Sequence, residues 1–267
     1  MALGNLPAPW SHGRAKLAVR LTFAFAAEML VFLAFFALYF FVRGLPVDDV
    51  ATSTHNALDI VRLERFLGIY SEAAWQDAAL GHPALVDLAN FTYRFLHLPL
   101  IGIIGFAFFC SDRRKFRVLR NTILISGFMA ALIYYYYPVT PPRLLAEQGV
   151  NLGFIDTLEG ARQVKPGPFT NHYAAMPSYH FGWILLVTIG MWWVWRAPIL
   201  RAAGVALAVL MWWAIVVTGN HFFLDMVAGA VMVLIALFLS LRWERYARST
   251  RTIRRRFPVV LDHRLPF

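Results

Sequence analysis

Six long runs of apolar residues constrain this chain more than any other feature of its sequence. Charged residues or proline and glycine clusters bound each run: Leu17–Val42, Leu88–Cys110, Val118–Tyr137, His180–Trp195, Ile199–Thr218 and His221–Leu241. A bilayer core of about 30 Å is crossed by about 20 helical residues, so most of the runs can span it. The fourth run is short, and we expect it to start inside the membrane boundary. The first is too long for a signal-peptide core, which predicts an uncleaved anchor.

The composition agrees with this interpretation. Of the 267 residues, 59% are hydrophobic and 15% are charged, whereas an ordinary soluble domain has about 25% charged residues. A soluble fold of this size cannot bury that much apolar surface. We therefore predict an all-α integral membrane protein with six transmembrane helices. Residues 56–80 predict an additional interfacial helix, and residues 138–179, rich in proline and glycine, a long outer binding loop between the third and fourth spans.

The distribution of positive charge predicts the orientation. With the N-terminus in the cytoplasm, the inside segments hold eighteen lysines and arginines, Arg120 among them, and the outside loops hold six. The positive-inside rule then predicts a multi-pass cell-membrane protein with both termini cytoplasmic. We divide the chain into a cytoplasmic N-terminus (1–16), a six-span membrane domain that carries the site (17–241) and a basic cytoplasmic tail (242–267). The arginines of the tail act as an orientation signal, and as an alternative they contact anionic lipid headgroups. Nothing in the sequence indicates a nucleic-acid-binding fold.

Three polar motifs fall together at the predicted outer face. The third span ends in Tyr134–Arg143, the fourth starts with Met176–His180, and the fifth and sixth meet at Thr218–Asp225. Hydropathy defines the spans and charge defines the sides, so neither step uses these motifs. Their convergence on one side of the membrane predicts a single site that faces outside.

The residue types of the motifs indicate phosphoryl transfer. His221 and Asp225, four residues apart, are predicted to share a helix face, so that the carboxylate fixes the imidazole tautomer and leaves the other nitrogen as a nucleophile or base. Asn220 is predicted to cap this helix. Pro177 suits a first helical turn, which would turn the Ser178 hydroxyl and nearby N–H groups toward an anion.

Two further side chains complete the predicted chemistry. His180 is placed to act as an acid, and Arg143 can bind a phosphate through two parallel hydrogen bonds. Together with the first group, these residues predict phosphoryl transfer without a metal or other cofactor. The single cysteine, Cys110, excludes an intramolecular disulfide. A zinc site is the alternative, with candidate ligands His172, His180, His221 and Asp225.

The three motifs resemble those of the type 2 phosphatidic acid phosphatase superfamily, which read KxxxxxxRP, PSGH and SRxxxxxHxxxD. The segments Pro138–Arg143, Gly153–Thr157 and Ala174–His180 are similar to its inositolphosphotransferase branch, which includes the inositol phosphorylceramide synthases. The resemblance covers roughly residues 56–241 and implies a six-helix core and a phosphohistidine intermediate.

The resemblance also implies residue roles. His221 would be the nucleophile and Asp225 its orienting partner, while His180 would protonate the leaving oxygen and later activate the acceptor. Arg143 and Ser178 would hold the phosphate.

This chain departs from the family pattern at two cationic positions. The lysine of the first motif falls at Tyr136, and the arginine of the third falls at Ile215. We therefore count Tyr136 as a candidate phosphate contact. Lys165 or Arg162 of the long loop is expected to supply the missing positive charge.

Ionisable residues also occur inside the predicted spans, where they are costly and are usually paired or functional. Glu28 lies in the first span, and Arg94 and His97 lie in the second. We predict that Glu28 pairs with His97 or Arg94. Alternatively, Arg94 and His97 line a cavity for the acceptor or the lipid headgroup.

The predicted function is that of a membrane lipid phosphotransferase. It would move a phosphoryl or phospho-alcohol group, of the inositol-phosphate type, from a phospholipid or lipid phosphate to an acceptor such as the polyol inositol. The first alternative is a phosphatase for lipid or isoprenoid phosphates, which would use water as the acceptor. The second is a lipid transporter or lipid-binding protein without catalysis.

Overall fold

The computed structural model describes residues 10–43, 49–158 and 171–256 of the chain. The helices within these ranges are α1 (Trp10–Arg43), α2 (Val50–Phe66), α3 (Glu72–Leu80), α4 (Pro83–Phe91), α5 (His97–Ser111), α6 (Arg113–Tyr136), α7 (Tyr179–Val194), α8 (Pro198–Val217) and α9 (Phe223–Arg256). A π-helical turn, Thr92–Leu96, joins α4 to α5. Two short 3₁₀ turns, Pro142–Leu144 and Ala146–Gln148, follow α6.

Among the described residues, five helical stretches are long and apolar enough to cross a membrane: Lys16–Tyr39, Pro83–Ser111, Arg113–Tyr136, Pro198–Val217 and Phe223–Thr250. α7 is also apolar, but it has only 16 residues. The prediction of a helical membrane protein is therefore confirmed, while the complete six-span topology stays a prediction. The last helix continues past residue 241, so the basic tail begins as part of α9.

The segment predicted as one interfacial helix folds as two helices, α2 and α3. Gly68 lies between them with a φ of +71°, in the left-handed region that favours glycine, and the chain turns there. α2 buries Ala57, Ile60 and Val61 in a cluster that also contains Phe222. This segment therefore packs against the chain just before α9.

α7 contacts α5, α6, α8 and α9 and so lies at the centre of the bundle. Its packing against α9 depends on Gly182 and Gly229. A Cβ atom on Gly182 would lie 2.9 Å from the carbonyl oxygen of Gly229, so the absence of a side chain allows the two backbones to approach. This close packing brings the start of α7 beside the start of α9.

The ion pair of Glu28 corrects the predicted partner. Glu28 of α1 pairs with Arg120 of α6, whereas Arg94 donates to a loop carbonyl and His97 stacks on aromatic rings. Arg120 was predicted to be one of the cytoplasmic charges. However, α6 already begins at Arg113, which places Arg120 about two turns into the helix, where its charge needs a partner.

Candidate active site

The start of α7 forms one side of the candidate site. Ser178 is the N-cap residue and makes no capping hydrogen bond through its side chain. Its Oγ atom is buried and has no hydrogen-bond partner in the part of the chain that the structure describes. Pro177 precedes the N-cap, so it does not lie in the first helical turn as predicted. A partnerless hydroxyl at a helix N-terminus suits an anion, because this end of a helix carries partial positive charge.

The start of α9 forms the opposite side. Helix α9 begins at Phe223, so His221 precedes the helix and does not lie on it. The two side chains nevertheless meet: His221 Nδ1 lies 3.3 Å from Asp225 Oδ2. The same Oδ2 atom accepts the backbone N–H of Phe222 at 2.9 Å, which fixes the carboxylate at the helix start. Both side chains are almost fully buried, with 5% and 0% exposure.

A tight turn between α8 and α9 connects His221 to Arg143. Gly219 has a φ of +63°, and its carbonyl oxygen accepts the backbone N–H of Arg143 at 2.8 Å. Asn220 was predicted to cap α9, but its Oδ1 atom accepts Arg143 Nε at 2.9 Å and its amide donates to Thr218 Oγ1 at 2.8 Å. The side chain is therefore committed to the turn and to Arg143, and it cannot cap the helix.

Asp156 of the long loop holds the other side of the guanidinium group. Arg143 Nη1 lies 2.9 Å from Asp156 Oδ2, and the two side chains are 17% and 6% exposed. Gln76 of α3 anchors this part of the loop, since it accepts the N–H of Ile155 at 2.7 Å and donates to its carbonyl at 2.9 Å. Asn90 of α4 similarly donates to the carbonyl of Thr157 at 2.9 Å. α3 and α4 thus fix the loop that orients Arg143.

His180 lies across the site from His221, with 6.0 Å between the ring centroids. Tyr93 stacks on the His180 ring at 4.3 Å, and the His97 ring lies 4.6 Å away. His97 in turn stacks on Trp183. The π-helical turn before α5 carries Tyr93, and π-helical turns often occur at functional sites. These rings restrain the orientation of the His180 imidazole.

Not every predicted site residue joins this group. Tyr136 is 78% exposed at the end of α6, which gives no support to a phosphate contact. Lys165 and Arg162 lie outside the described residues. Arg94 Nη2 donates to the carbonyl of Leu158 at 2.9 Å, so it contributes to holding the long loop.

The position of the missing family arginine, Ile215, is fully buried in an apolar cluster with Ile184, Met211 and Met226. At the position where the family pattern has an arginine, α8 therefore has an apolar side chain that packs in the core.

Two buried glutamates, which the sequence analysis missed, close the N-terminus of α9. Glu72 Oε1 accepts the backbone N–H of Phe223 at 2.9 Å, and Glu64 Oε1 accepts that of Leu224 at 2.7 Å. Burial, followed by the hydrogen bond with the Glu72 carboxyl, raises the pKa of Glu64 to about 9. The one available signal was the presence of four acids among the apolar residues of 56–80, which an exposed interfacial helix would explain equally well.

A metal site needs several ligand side chains close together. Residues 10–43, 49–158 and 171–256 contain no group of three or more His, Cys, Asp or Glu side chains that could hold a metal ion. The zinc alternative therefore finds no ligand set in these ranges. What the structure does bring together is two histidines, a buried aspartate, an arginine and a hydroxyl at a helix N-terminus.

Comparison with known families agrees with the motif pattern. A family model described as the PAP2 superfamily matches residues 58–239, which include all three motifs. No curated protein and no solved structure matches the chain. The superfamily resemblance is thereby confirmed, while the inositolphosphotransferase branch stays a prediction.

Proposed function

This chain belongs to the PAP2 superfamily, and from that premise we propose that it is a membrane lipid phosphotransferase with a phosphohistidine intermediate. Membership alone indicates a function of the lipid phosphatase or phosphotransferase kind. The more specific proposal is that the enzyme moves a phosphoryl or phospho-alcohol group, of the inositol-phosphate type, to an alcohol acceptor.

The spacing of the two histidines carries this proposal. With ring centroids 6.0 Å apart, both imidazoles can contact one phosphoryl group. His221 Nδ1 lies 3.3 Å from Asp225 Oδ2, so the carboxylate favours the tautomer with the proton on Nδ1. In that tautomer Nε2 keeps the lone pair that a nucleophile needs. We assign the protonation of the leaving oxygen to His180, the second imidazole at this distance.

In the first step, His221 Nε2 attacks phosphorus and the bond from phosphorus to the leaving oxygen breaks. His180 donates a proton to that oxygen, so the leaving group departs as an alcohol. Arg143 and the Ser178 hydroxyl stabilise the charge on the phosphoryl oxygens. Asp225 stabilises the positive charge that forms on the His221 imidazole.

In the second step, the acceptor replaces His221. His180 takes the proton from the acceptor hydroxyl, whose oxygen forms a bond to phosphorus as the P–N bond breaks. His221 returns to its neutral form, and His180 regains its proton. Water or an alcohol satisfies this chemistry, and the difference decides between a hydrolase and a transferase.

The burial of the nucleophile favours an alcohol acceptor. His221 is 4% exposed and Asp225 is fully buried, so the phosphohistidine would form where bulk water is restricted. Exclusion of water protects reactive intermediates from hydrolysis. We therefore place transfer ahead of the phosphatase alternative.

We also propose that the site faces the outside and that both termini are cytoplasmic, on the basis of the lysine and arginine distribution. Single-cysteine variants test this orientation. Cys110 is replaced by serine, and one cysteine is introduced at Asp77 or at Arg114, both of which are exposed. A membrane-impermeant maleimide should label only the Asp77→Cys variant in intact cells; labelling of Arg114→Cys alone would reverse the orientation.

The reaction is tested with purified protein in detergent, without added metal. Phospholipids and lipid phosphates that carry a radioactive phosphate are incubated with and without myo-inositol, and labelled protein, inorganic phosphate, inositol phosphate and new lipid are measured. We expect acid-labile labelled protein and a labelled product that forms only with myo-inositol. A lipid phosphate, which gives up its phosphoryl group, should yield inositol phosphate in the aqueous phase, and a phospholipid whose headgroup alcohol leaves should yield a phospho-inositol lipid. The His221→Gln variant should give neither, and His55→Gln, which alters an exposed histidine of α2, should behave as wild type.

The other outcomes have defined meanings. Release of inorganic phosphate without an acceptor would identify the phosphatase alternative. Binding of lipid that survives His221→Gln, with no product from any donor, would identify a transporter or binding protein. Normal turnover by His221→Gln would refute the proposed nucleophile.

A further inference from the structure

Two acidic residues that belong to none of the three motifs contact the backbone between His221 and Asp225. Glu64 is on the last turn of α2 and Glu72 is the first residue of α3. Both are 0% exposed. Fully buried acids are rare unless they are paired or hydrogen-bonded, so their surroundings need an explanation.

Both carboxyl groups bind the start of the helix that follows the nucleophile. The N–H groups of Phe223 and Leu224 are at the beginning of α9, where no preceding turn can accept them. Glu72 accepts the first at 2.9 Å and Glu64 accepts the second at 2.7 Å. Two side chains from another part of the chain therefore cap the N-terminus of α9.

The donors around the pair differ for its two members. Glu72 uses both oxygens, since Oε2 also accepts the backbone N–H of Ser71 at 2.9 Å. Glu64 Oε2 is buried and receives no hydrogen bond from any other group in the described ranges. The two carboxyl groups accept the N–H groups of adjacent residues, Phe223 and Leu224, and so lie side by side. A proton on Glu64 Oε2 would therefore have Glu72 as its acceptor.

Electrostatics requires such a proton. Two adjacent carboxylates in a buried site cannot both be ionised without a large cost, and Asp225 adds a third acidic group nearby. The raised pKa of Glu64 agrees with the hydrogen-bond pattern, because burial and the neighbouring Glu72 both favour the protonated form. Glu72, with two N–H donors, is the member that is stabilised as the carboxylate.

We propose that Glu64 and Glu72 are positioning residues that share one proton, held by Glu64, and that fix the turn from His221 to Asp225 by capping α9. The catalytic part of this inference rests on the proposed role of His221 as the nucleophile. The pair also occupies the N-terminus of α9, so the substrate phosphate is directed to the N-terminus of α7 at Ser178.

Amide substitutions distinguish the two members. In Glu64→Gln the amide oxygen still accepts Leu224 N–H and the NH₂ group donates to Glu72, so every hydrogen bond is kept. In Glu72→Gln a single amide oxygen replaces two carboxylate oxygens that receive Ser71 N–H, Phe223 N–H and the Glu64 proton. At least one backbone donor then loses its acceptor. A role in which any polar side chain suffices would not produce this asymmetry.

The experiment measures three properties of full-length protein in detergent. Infrared spectra in H₂O and D₂O detect a protonated carboxyl group, hydrogen exchange with mass spectrometry follows the amides of Phe223 and Leu224, and phosphate labelling measures the reaction of His221. Asp77→Asn is the matched control, because Asp77 is an exposed acid on the same helix as Glu72.

We expect Glu64→Gln to lose one protonated-carboxyl band and to keep the wild-type labelling rate within about twofold, because its hydrogen bonds are kept. Glu72→Gln should exchange the α9 amides faster and lose roughly tenfold in labelling rate, as expected for a lost cap beside a catalytic group. Asp77→Asn should match the wild type in all three measurements.

The results that would overturn the proposal are independent of those for the nucleophile. If the protonated-carboxyl band is still present in Glu64→Gln, the proposal that Glu64 holds the shared proton is refuted. If the α9 amides of Glu72→Gln exchange at the wild-type rate, the proposal that Glu72 caps α9 is refuted. If Glu72→Gln does not fold, the labelling rate of Glu64→Gln tests the proposal instead. A tenfold slower labelling in this variant would refute the proposal that Glu64 acts as an uncharged, protonated group. If the wild-type protein is never labelled, the proposed function fails, and the infrared and exchange results still decide on the pair.

Discussion

The backbone N–H of Ser178 donates to the carbonyl oxygen of Asp225 across 2.8 Å. A main-chain hydrogen bond therefore joins the motif at the start of α7 to the motif at the start of α9. Because the bond involves backbone atoms, it depends on how closely the two helices approach and does not depend on the side chains of either residue.

The approach of the helices should be sensitive to Gly229. A Cβ atom there would lie 2.1 Å from the carbonyl oxygen of Ser178, so α7 and α9 would have to separate. We expect Gly229→Ala to abolish most of the labelling of His221 and to reduce the free energy of unfolding by about 1–3 kcal/mol. Gly105→Ala on α5 is the control, since a Cβ atom there meets nothing within 4 Å. Equal activity of the two variants would contradict this account of the packing.

The role of His180 should depend on the leaving group. An alkoxide leaving group needs the proton of a general acid, which contributes about 10²–10⁴-fold to a rate, whereas nitrophenolate leaves without one. We expect His180→Gln to lose most of its labelling rate with a lipid phosphate and far less with p-nitrophenyl phosphate. His221→Gln should lose both reactions. The same loss by His180→Gln with both donors would argue against an acid role.

Loss of the hydrogen bond between Asn220 and Arg143 should weaken binding of the substrate phosphate. Without the Oδ1 acceptor, which lies 2.9 Å from Nε, Asp156 alone would orient the guanidinium group. Hydrogen bonds to charged groups contribute about 1.5–3 kcal/mol, so we expect Asn220→Ala to lower kcat/KM by roughly tenfold, mainly through the KM for the phosphate donor. Steady-state kinetics measures this, with Asn151→Ala in the exposed loop as the control. A loss confined to kcat would contradict a binding role for this contact.

The stability of the protein should fall as the pH rises above the ordinary range of glutamate. The pKa of Glu64 is raised from 4.5 to about 9, so between these values the folded protein holds a proton that the unfolded chain releases. The stabilisation is complete below the unfolded value and is lost as the pH rises through the folded one, with a slope of at most about 1.4 kcal/mol per pH unit.

Thermal unfolding in detergent at pH 5 to 9 measures this dependence. Glu64→Gln should flatten the slope, because an amide does not titrate, whereas Asp77→Asn should keep it. An unchanged slope in Glu64→Gln would show that other groups cause the dependence.

Much of the architecture could be predicted, because hydrophobic runs and motif spacing are local properties of a sequence. The boundaries of the predicted second to fifth runs lie within a few residues of the observed helical stretches. The starts of α7 and α9 do meet, with 6.0 Å between the His180 and His221 rings, and Arg143 bonds to the turn just before His221. That these residues form one site stays a prediction. Their roles in the reaction stay predictions.

The errors have a common physical origin. Asn220 has the composition of a helix cap, but Arg143 competes for its oxygen. Glu28 has its partner on α6 and not on the span first considered. A sequence shows which groups need a partner, but the choice among several possible partners depends on which helices touch.

The sequence by itself determined that this chain is a helical membrane protein, because hydropathy acts through the bilayer on each segment separately. The placement of the three polar motifs at one membrane face stays a prediction from the charge distribution. Only the tertiary structure decided that Glu64 and Glu72, from a segment without motifs, close the N-terminus of α9. This decision depends on contacts between residues about 150 positions apart, whose free energy exists only when the helices have packed.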